Sequence, residues 1–208
     1  MPSSPRPPRR PDRRTVVGGG LALALLPGSR LTAQVPAPAP AFAIDWQGGP
    51  ETPDVVESLR RQIALVTALR IRPDIAAFFA AQPIAVDLAA DTATRAGPRG
   101  IFFERRAVPA DNPVLLHELL HRYHLLRLPG GFANPQVTRF FAAVRDAGRF
   151  PAGAYMFRNP AEFFAMTASV ALHGRAARPP FTRTALAEQA PALYRWIVEQ
   201  FGLRTDDA

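Results

Sequence analysis

Apolar side chains recur at helical spacing in the first part of the chain that reads as folded. Val55, Val56, Leu59, Ile63, Val66 and Leu69 or Ile71 share one side of residues 54–69 and their continuation, with Arg60, Arg61 and Arg70 on the other, which predicts an amphipathic helix. A shorter helix is predicted over residues 74–81, broken by Pro83. The pattern then changes. Ile84-Ala85-Val86-Asp87-Leu88 and residues 101–106 read as short strands, the second entered through the turn Gly97-Pro98-Arg99-Gly100. Helical spacing returns over residues 113–127, 135–146, 160–173 and 184–201. Asp111-Asn112-Pro113 and Asn159-Pro160 each set a capping side chain before a proline at the first helical position. Pro129-Gly130-Gly131 closes the helix over 113–127. No internal repeat interrupts this order. The prediction is an α+β fold, mainly helical, with a small sheet just ahead of the central helix, in one domain over residues 44–208.

The first 43 residues follow other rules. Arg6, Arg9, Arg10, Arg13 and Arg14 precede an apolar run from Val16 to Leu26, then Pro27-Gly28-Ser29-Arg30 and the small residues near Ala33. That is the anatomy of a cleavable signal peptide over residues 1–33, and Arg13-Arg14 directly before the run resembles a twin-arginine signal. The run is too short to span a bilayer as a helix, so membrane contact is expected only transiently, during export. Residues 34–43, with alternating Pro and Ala, read as an extended linker. The expected location is periplasmic or secreted, in a bacterium.

Charge matters less than its total suggests. The 208 residues carry a formal net charge of +8, but residues 1–33 hold six Arg and one Asp, leaving 19 Arg against 16 acids, or +3, for the rest. No basic cluster interleaved with aromatics follows the signal, so nucleic acid is not an expected partner. Cysteine is absent, which excludes disulfides, thiolate metal sites and cysteine nucleophiles.

The candidate chemistry lies in His117-Glu118-Leu119-Leu120-His121, in the middle of the helix over 113–127. Histidines four residues apart on a helix stand one turn apart on nearly the same face, so both imidazoles can reach one ion. Glu118 then flanks the ion where a carboxylate can act as base towards an activated water. Catalytic zinc takes three protein ligands as a rule. His124 sits a further turn along, and position 127, where a metzincin would need its third histidine, holds Arg. The candidates left are His173 and a carboxylate on a later helix. Glu162 is favoured, because it is a lone acid at the head of the apolar segment 162–172, where an unpaired carboxylate is costly. Its other reading is an N3 residue held by the helix dipole.

An HExxH motif followed by a glutamate on a later helix resembles the gluzincin peptidases. Tyr155, seven residues before Glu162, and Glu162-Phe163-Phe164-Ala165 further resemble the catalytic domain of anthrax lethal factor and its bacterial relatives, over roughly residues 100–175. The resemblance implies a zincin-like domain with the small sheet packed on the HExxH helix, and one Zn2+ per chain on His117, His121 and Glu162. It also implies catalytic roles for Glu118 and Tyr155, the tyrosine stabilising the oxyanion or helping to protonate the leaving group. The pattern departs from the family one turn after Glu162, where Met166 replaces a second acid. A partner for the ligating imidazoles would then be Asp146, Glu104 or a backbone carbonyl. The strand over 101–106 resembles the edge strand on which zincins align an extended peptide, and the loop over 128–135 is a second candidate for shaping the cleft. The expected function is an exported zinc peptidase acting on a peptide or protein. The alternatives are a zinc-binding scaffold without catalysis and a zinc hydrolase of a non-peptide amide.

Overall fold

The computed structural model describes residues 42–47, 49–86 and 92–204. The signal segment, most of the linker and residues 87–91, which include the last two residues of the strand read over 84–88, lie outside them. The elements run β1 (Ile44–Trp46), α1 (Pro53–Thr67), α2 (Pro73–Ala80), β2 (Ile84–Val86), β3 (Arg95–Gly97), β4 (Gly100–Phe103), α3 (Val114–Arg127), α4 (Pro135–Asp146), α5 (Pro160–His173), α6 (Arg183–Gln189) and α7 (Pro191–Phe201). Short 3-10 turns sit at Gly131–Ala133 and Tyr155–Phe157. The architecture is α+β and mainly helical, with one four-stranded sheet among the described residues.

Two elements were hidden in the sequence. Residues 44–46, read as the start of the domain, form β1, and Arg95-Ala96-Gly97, of which only Gly97 was read, as part of a turn, forms β3. The strand order is β1-β2-β4-β3, with β1, β2 and β4 parallel and β3 antiparallel to β4. β4 is therefore an inner strand, which corrects its reading as the edge; among the described residues the edge beside α3 is β3. The hairpin explains the difference. Gly97 pairs with Gly100 across a two-residue loop, and Gly100, at φ 145°, lies where a Cβ would come within 2.4 Å of the Pro83 carbonyl oxygen. Only glycine lets the chain reverse that close to β2.

α3 lies between the sheet and α5, and it is apolar on more than one face for that reason. Leu115, Leu116, Leu119, Leu120 and Tyr123 are all buried. Its predicted cap is replaced by a long-range one. The helix starts at Val114 with no side-chain cap from Asp111 or Asn112. Instead Gln62 of α1 accepts from the Leu115 N–H (3.1 Å) and donates to the Asn112 carbonyl (2.8 Å). By contrast α5 starts as the sequence predicts, with Asn159 Oδ1 accepting from Glu162 N–H at 2.9 Å, and α4 starts the same way on a cap not read from the sequence, Asn134 Oδ1 accepting from Val137 N–H at 2.9 Å.

α5 is the central helix, and every residue from Phe163 to Leu172 is buried. It packs against α3, α4, α6 and α7. Burying a side chain such as Phe163 or Phe164 contributes about 1.5–3 kcal/mol, which fixes the helix and its N-terminal Glu162 against α3. The segment read as one helix over 184–201 is two, because Pro191 starts a new helix after Ala190.

Candidate metal centre

Three side chains converge between the middle of α3 and the first turn of α5. His117 Nε2 stands 3.1 Å from Glu162 Oε2 and 3.1 Å from His121 Nε2, and His121 Nε2 stands 3.6 Å from the same Glu162 oxygen. Around a tetrahedral zinc with ligands at about 2.0–2.1 Å, neighbouring ligand atoms are about 3.3–3.4 Å apart. The three observed separations bracket that edge length, and no other group of three metal-capable side chains occurs among the described residues. Two imidazole nitrogens and one carboxylate oxygen suit zinc in chemistry as well as spacing. All three residues are half-buried, and His117 lines a cleft.

The geometry also separates the two readings of Glu162. Its backbone N–H is capped by Asn159, while its carboxylate turns to the histidines. Burial pushes that carboxyl up, but the hydrogen bonds and charges of His117 and His121 outweigh burial and hold it well below the usual carboxylate range. His173 lies eleven residues further along α5, about 16 Å away, and belongs to a separate groove beside Arg183 and Arg204.

Glu118 sits beside the triad without joining it. Its Oε2 accepts from the Ala96 N–H of β3 at 2.7 Å, a backbone partner the sequence did not suggest. Its signal was the Gly97–Gly100 turn, which implies a hairpin and hence a strand before Gly97. In an antiparallel pair the strand groups next to a bonded pair point away from the partner, so Ala96 faces α3 rather than β4. Burial is the main cause pushing the Glu118 carboxyl up, opposed by the charges of His117 and His121 and by the Ala96 bond. One turn later Arg122 ties the same hairpin down, donating to the carbonyls of Gly97 (2.9 Å) and Pro98 (3.1 Å) and to Gln82 Oε1 (2.9 Å).

Tyr155 opens the 3-10 turn before α5 and lines the same cleft as His117 and Glu118. The guanidinium of Arg178 lies 5.1 Å from its ring centroid and that of Arg158 lies 5.9 Å away. Two expected imidazole partners are engaged elsewhere. Asp146 closes α4 beside Arg145, and Glu104 accepts from Thr94 and pairs with Arg106. Phe132, in the 3-10 turn of the 128–135 loop, stands edge-on to His121 at 6.4 Å between centroids, so that loop borders the site.

His124 is near the centre but outside it. It is fully buried between Phe132 and Phe164, and neither ring nitrogen has a hydrogen-bond partner among the described residues. Burial first, and then the charge of His121, lower its pKa from 6.5 to about 4. Below pH 6.5 the unfolded chain takes up a proton that the folded chain refuses, so stability is present at neutral pH and lost as pH falls towards 4. The slope from this one group is at most about 1.4 kcal/mol per pH unit. A His124→Leu variant is expected to match the parent or exceed it at pH 7.5 and to lose less between pH 6.5 and 4.5 in urea unfolding; equal acid slopes would refute this.

Comparison with known proteins places the fold. No family model matches the chain, and no curated protein matches it. A solved structure, the Pro-Pro endopeptidase PPEP-2 from Paenibacillus alvei, superposes with a TM-score of 0.55 at 17% identity, covering 77% of this chain and 97% of that one. At that identity the likeness is one of fold.

Proposed function

We propose that this chain is an exported zinc-dependent peptidase of the gluzincin type, with His117, His121 and Glu162 as ligands. The observation that carries the reading is the set of three ligand atoms at tetrahedral-edge spacing with a buried carboxylate, Glu118, held beside it by the edge strand. The fold likeness to an endopeptidase supports peptide-bond hydrolysis, and Tyr155 with Glu162-Phe163-Phe164-Ala165 supports the lethal-factor-like placement. Export rests on the basic and apolar segments of residues 1–33.

When bound, zinc supplies Lewis acidity, lowering the pKa of water and polarising a carbonyl. The chain's own groups do the rest. Glu118 keeps one oxygen on the Ala96 N–H and uses its carboxylate to take the proton of the attacking water, then delivers it to the leaving amine. Burial raises its pKa and so makes it the stronger base. The Tyr155 phenol donates to the developing oxyanion from the cleft wall. An extended substrate lies along β3, the sheet edge beside the site. A scaffold role without catalysis explains the ligands but not a buried base beside them.

Metal analysis of the purified full chain is expected to find one zinc. Cleavage of a denatured protein should stop with a chelator and return with added zinc. Undiminished cleavage after complete metal removal would overturn the assignment.

A further inference from the structure

His117 and Glu118 open into a cleft of about 270 Å³ with a wall that the reaction leaves unused. α5 contributes Met166 and Ser169, four and seven residues after Glu162 and on the same helix face. α3 contributes Val114, and the segment after α5 adds Ala176, Ala177 and Arg178. Ser169 is 2% exposed, and its Oγ has no hydrogen-bond partner among the described residues. A buried hydroxyl left unpaired is unfavourable, and this one lines a cavity, where whatever fills the cavity can satisfy it.

Arg178 supplies the charge. Its segment folds back on itself, with Ala176 N–H donating to the Phe181 carbonyl (2.8 Å), Phe181 N–H to the Arg178 carbonyl (2.9 Å) and Arg183 N–H to the Gly174 carbonyl (2.9 Å). The guanidinium is thereby carried to the cleft wall, against the Tyr155 ring. The other charges of the lining cancel. Glu104 pairs with Arg106, and a divalent ion bound by the neighbouring triad would offset Glu118 and the ligand Glu162, so Arg178 is the charge that the lining leaves unbalanced.

Resting on the peptidase reading above, we propose that this cleft is the recognition pocket for a glutamate side chain of the substrate, with Arg178 pairing its carboxylate and Ser169 Oγ donating a hydrogen bond to it. Val114, Met166 and Ala176 suit the methylene stem. Met166 is the unbranched neighbour of Ser169 on the helix face and the wall that adapts to the entering chain. Arg178 and Ser169 are specificity residues here, distinct from the zinc ligands and the base.

Cleavage sites produced by the full chain in a peptide mixture, read by mass spectrometry, are expected to show glutamate enriched at one position relative to the scissile bond. In matched peptides carrying Glu, Gln or Lys there, kcat/KM for Glu should exceed that for Gln by about tenfold, the lower range for a hydrogen bond to a charged group. Arg178→Glu should invert the order, with Lys above Glu, and Ser169→Ala should reduce the Glu-over-Gln ratio severalfold. These are ratios between substrates of one enzyme, so a general loss through Tyr155 cancels. Calorimetric binding of the same peptides to the Glu118→Gln protein should rank them identically without turnover. Cleavage with no charge preference, or a ratio that Arg178→Glu leaves unmoved, would overturn the pocket. Absence of any cleavage strikes at the peptidase reading instead, and the binding ranking then decides the pocket alone: a Glu peptide bound no tighter than a Lys peptide overturns it.

Discussion

Glu118→Gln is expected to lower kcat for peptide hydrolysis by about a thousandfold while leaving the metal content unchanged. The magnitude is that of a positioned general base, which contributes about 100- to 10,000-fold. The substitution is nearly isosteric, and the amide oxygen can still accept from the Ala96 N–H, so the hairpin keeps its anchor. What disappears is the ability to take a proton. The three ligand atoms belong to other residues, so zinc should remain at one per chain. A quenched-fluorescence peptide assay beside elemental analysis separates the two effects. Activity within a fewfold of the parent would remove Glu118 from the mechanism, and loss of zinc would show that the variant disturbs the site itself.

Glu162→Ala should have the next largest effect, a fall in zinc affinity of more than about 100-fold. Outer partners of ligating groups are commonly worth 10- to 100-fold, and a charged ligand contributes beyond that range. Glu162 is held ionised by the two histidines despite burial, so its removal takes the only negative charge from the triad. Glu162→Gln, which keeps an oxygen but not the charge, should fall between parent and Ala. The fold should survive both changes, since Asn159 still caps α5 and an acid in a helix's first turn is worth about 0.3–1 kcal/mol. Competition with a chromogenic chelator gives the affinity. Parent-like zinc binding by Glu162→Ala would mean that another group completes the site.

What the sequence made legible was local. The HELLH spacing, the Asn159 cap and the proline starts of α4 and α5 depend on residues within a turn of one another, and each is found where the spacing puts it. The third member of the triad was legible too, because Glu162 is a lone acid heading an apolar helix, although an N3 position held by the helix dipole was its competing local reading. What escaped was pairing across distance. Nothing in Ile101-Phe102-Phe103 says whether one neighbour or two will flank the strand, and the answer depends on Arg95-Ala96-Gly97 folding back. Likewise the Asp111-Asn112-Pro113 start lost its cap to Gln62, which lies 53 residues before the Leu115 amide it accepts from. Ala96, a backbone donor on a residue with no reactive side chain, could only be seen once the hairpin was in place.

That hairpin and α3 are joined at two points one helical turn apart, Ala96 to Glu118 and Gly97 and Pro98 to Arg122. Strand and helix therefore share one frame of reference. Under the proposed function, a peptide that docks along β3 is indexed to the base by bonds made during folding, so the orientational entropy of bringing bond and base together is surrendered before the substrate arrives. Arg122, which touches neither ligand nor base, is on this account the residue that sets the spacing between where a substrate is held and where it is cut.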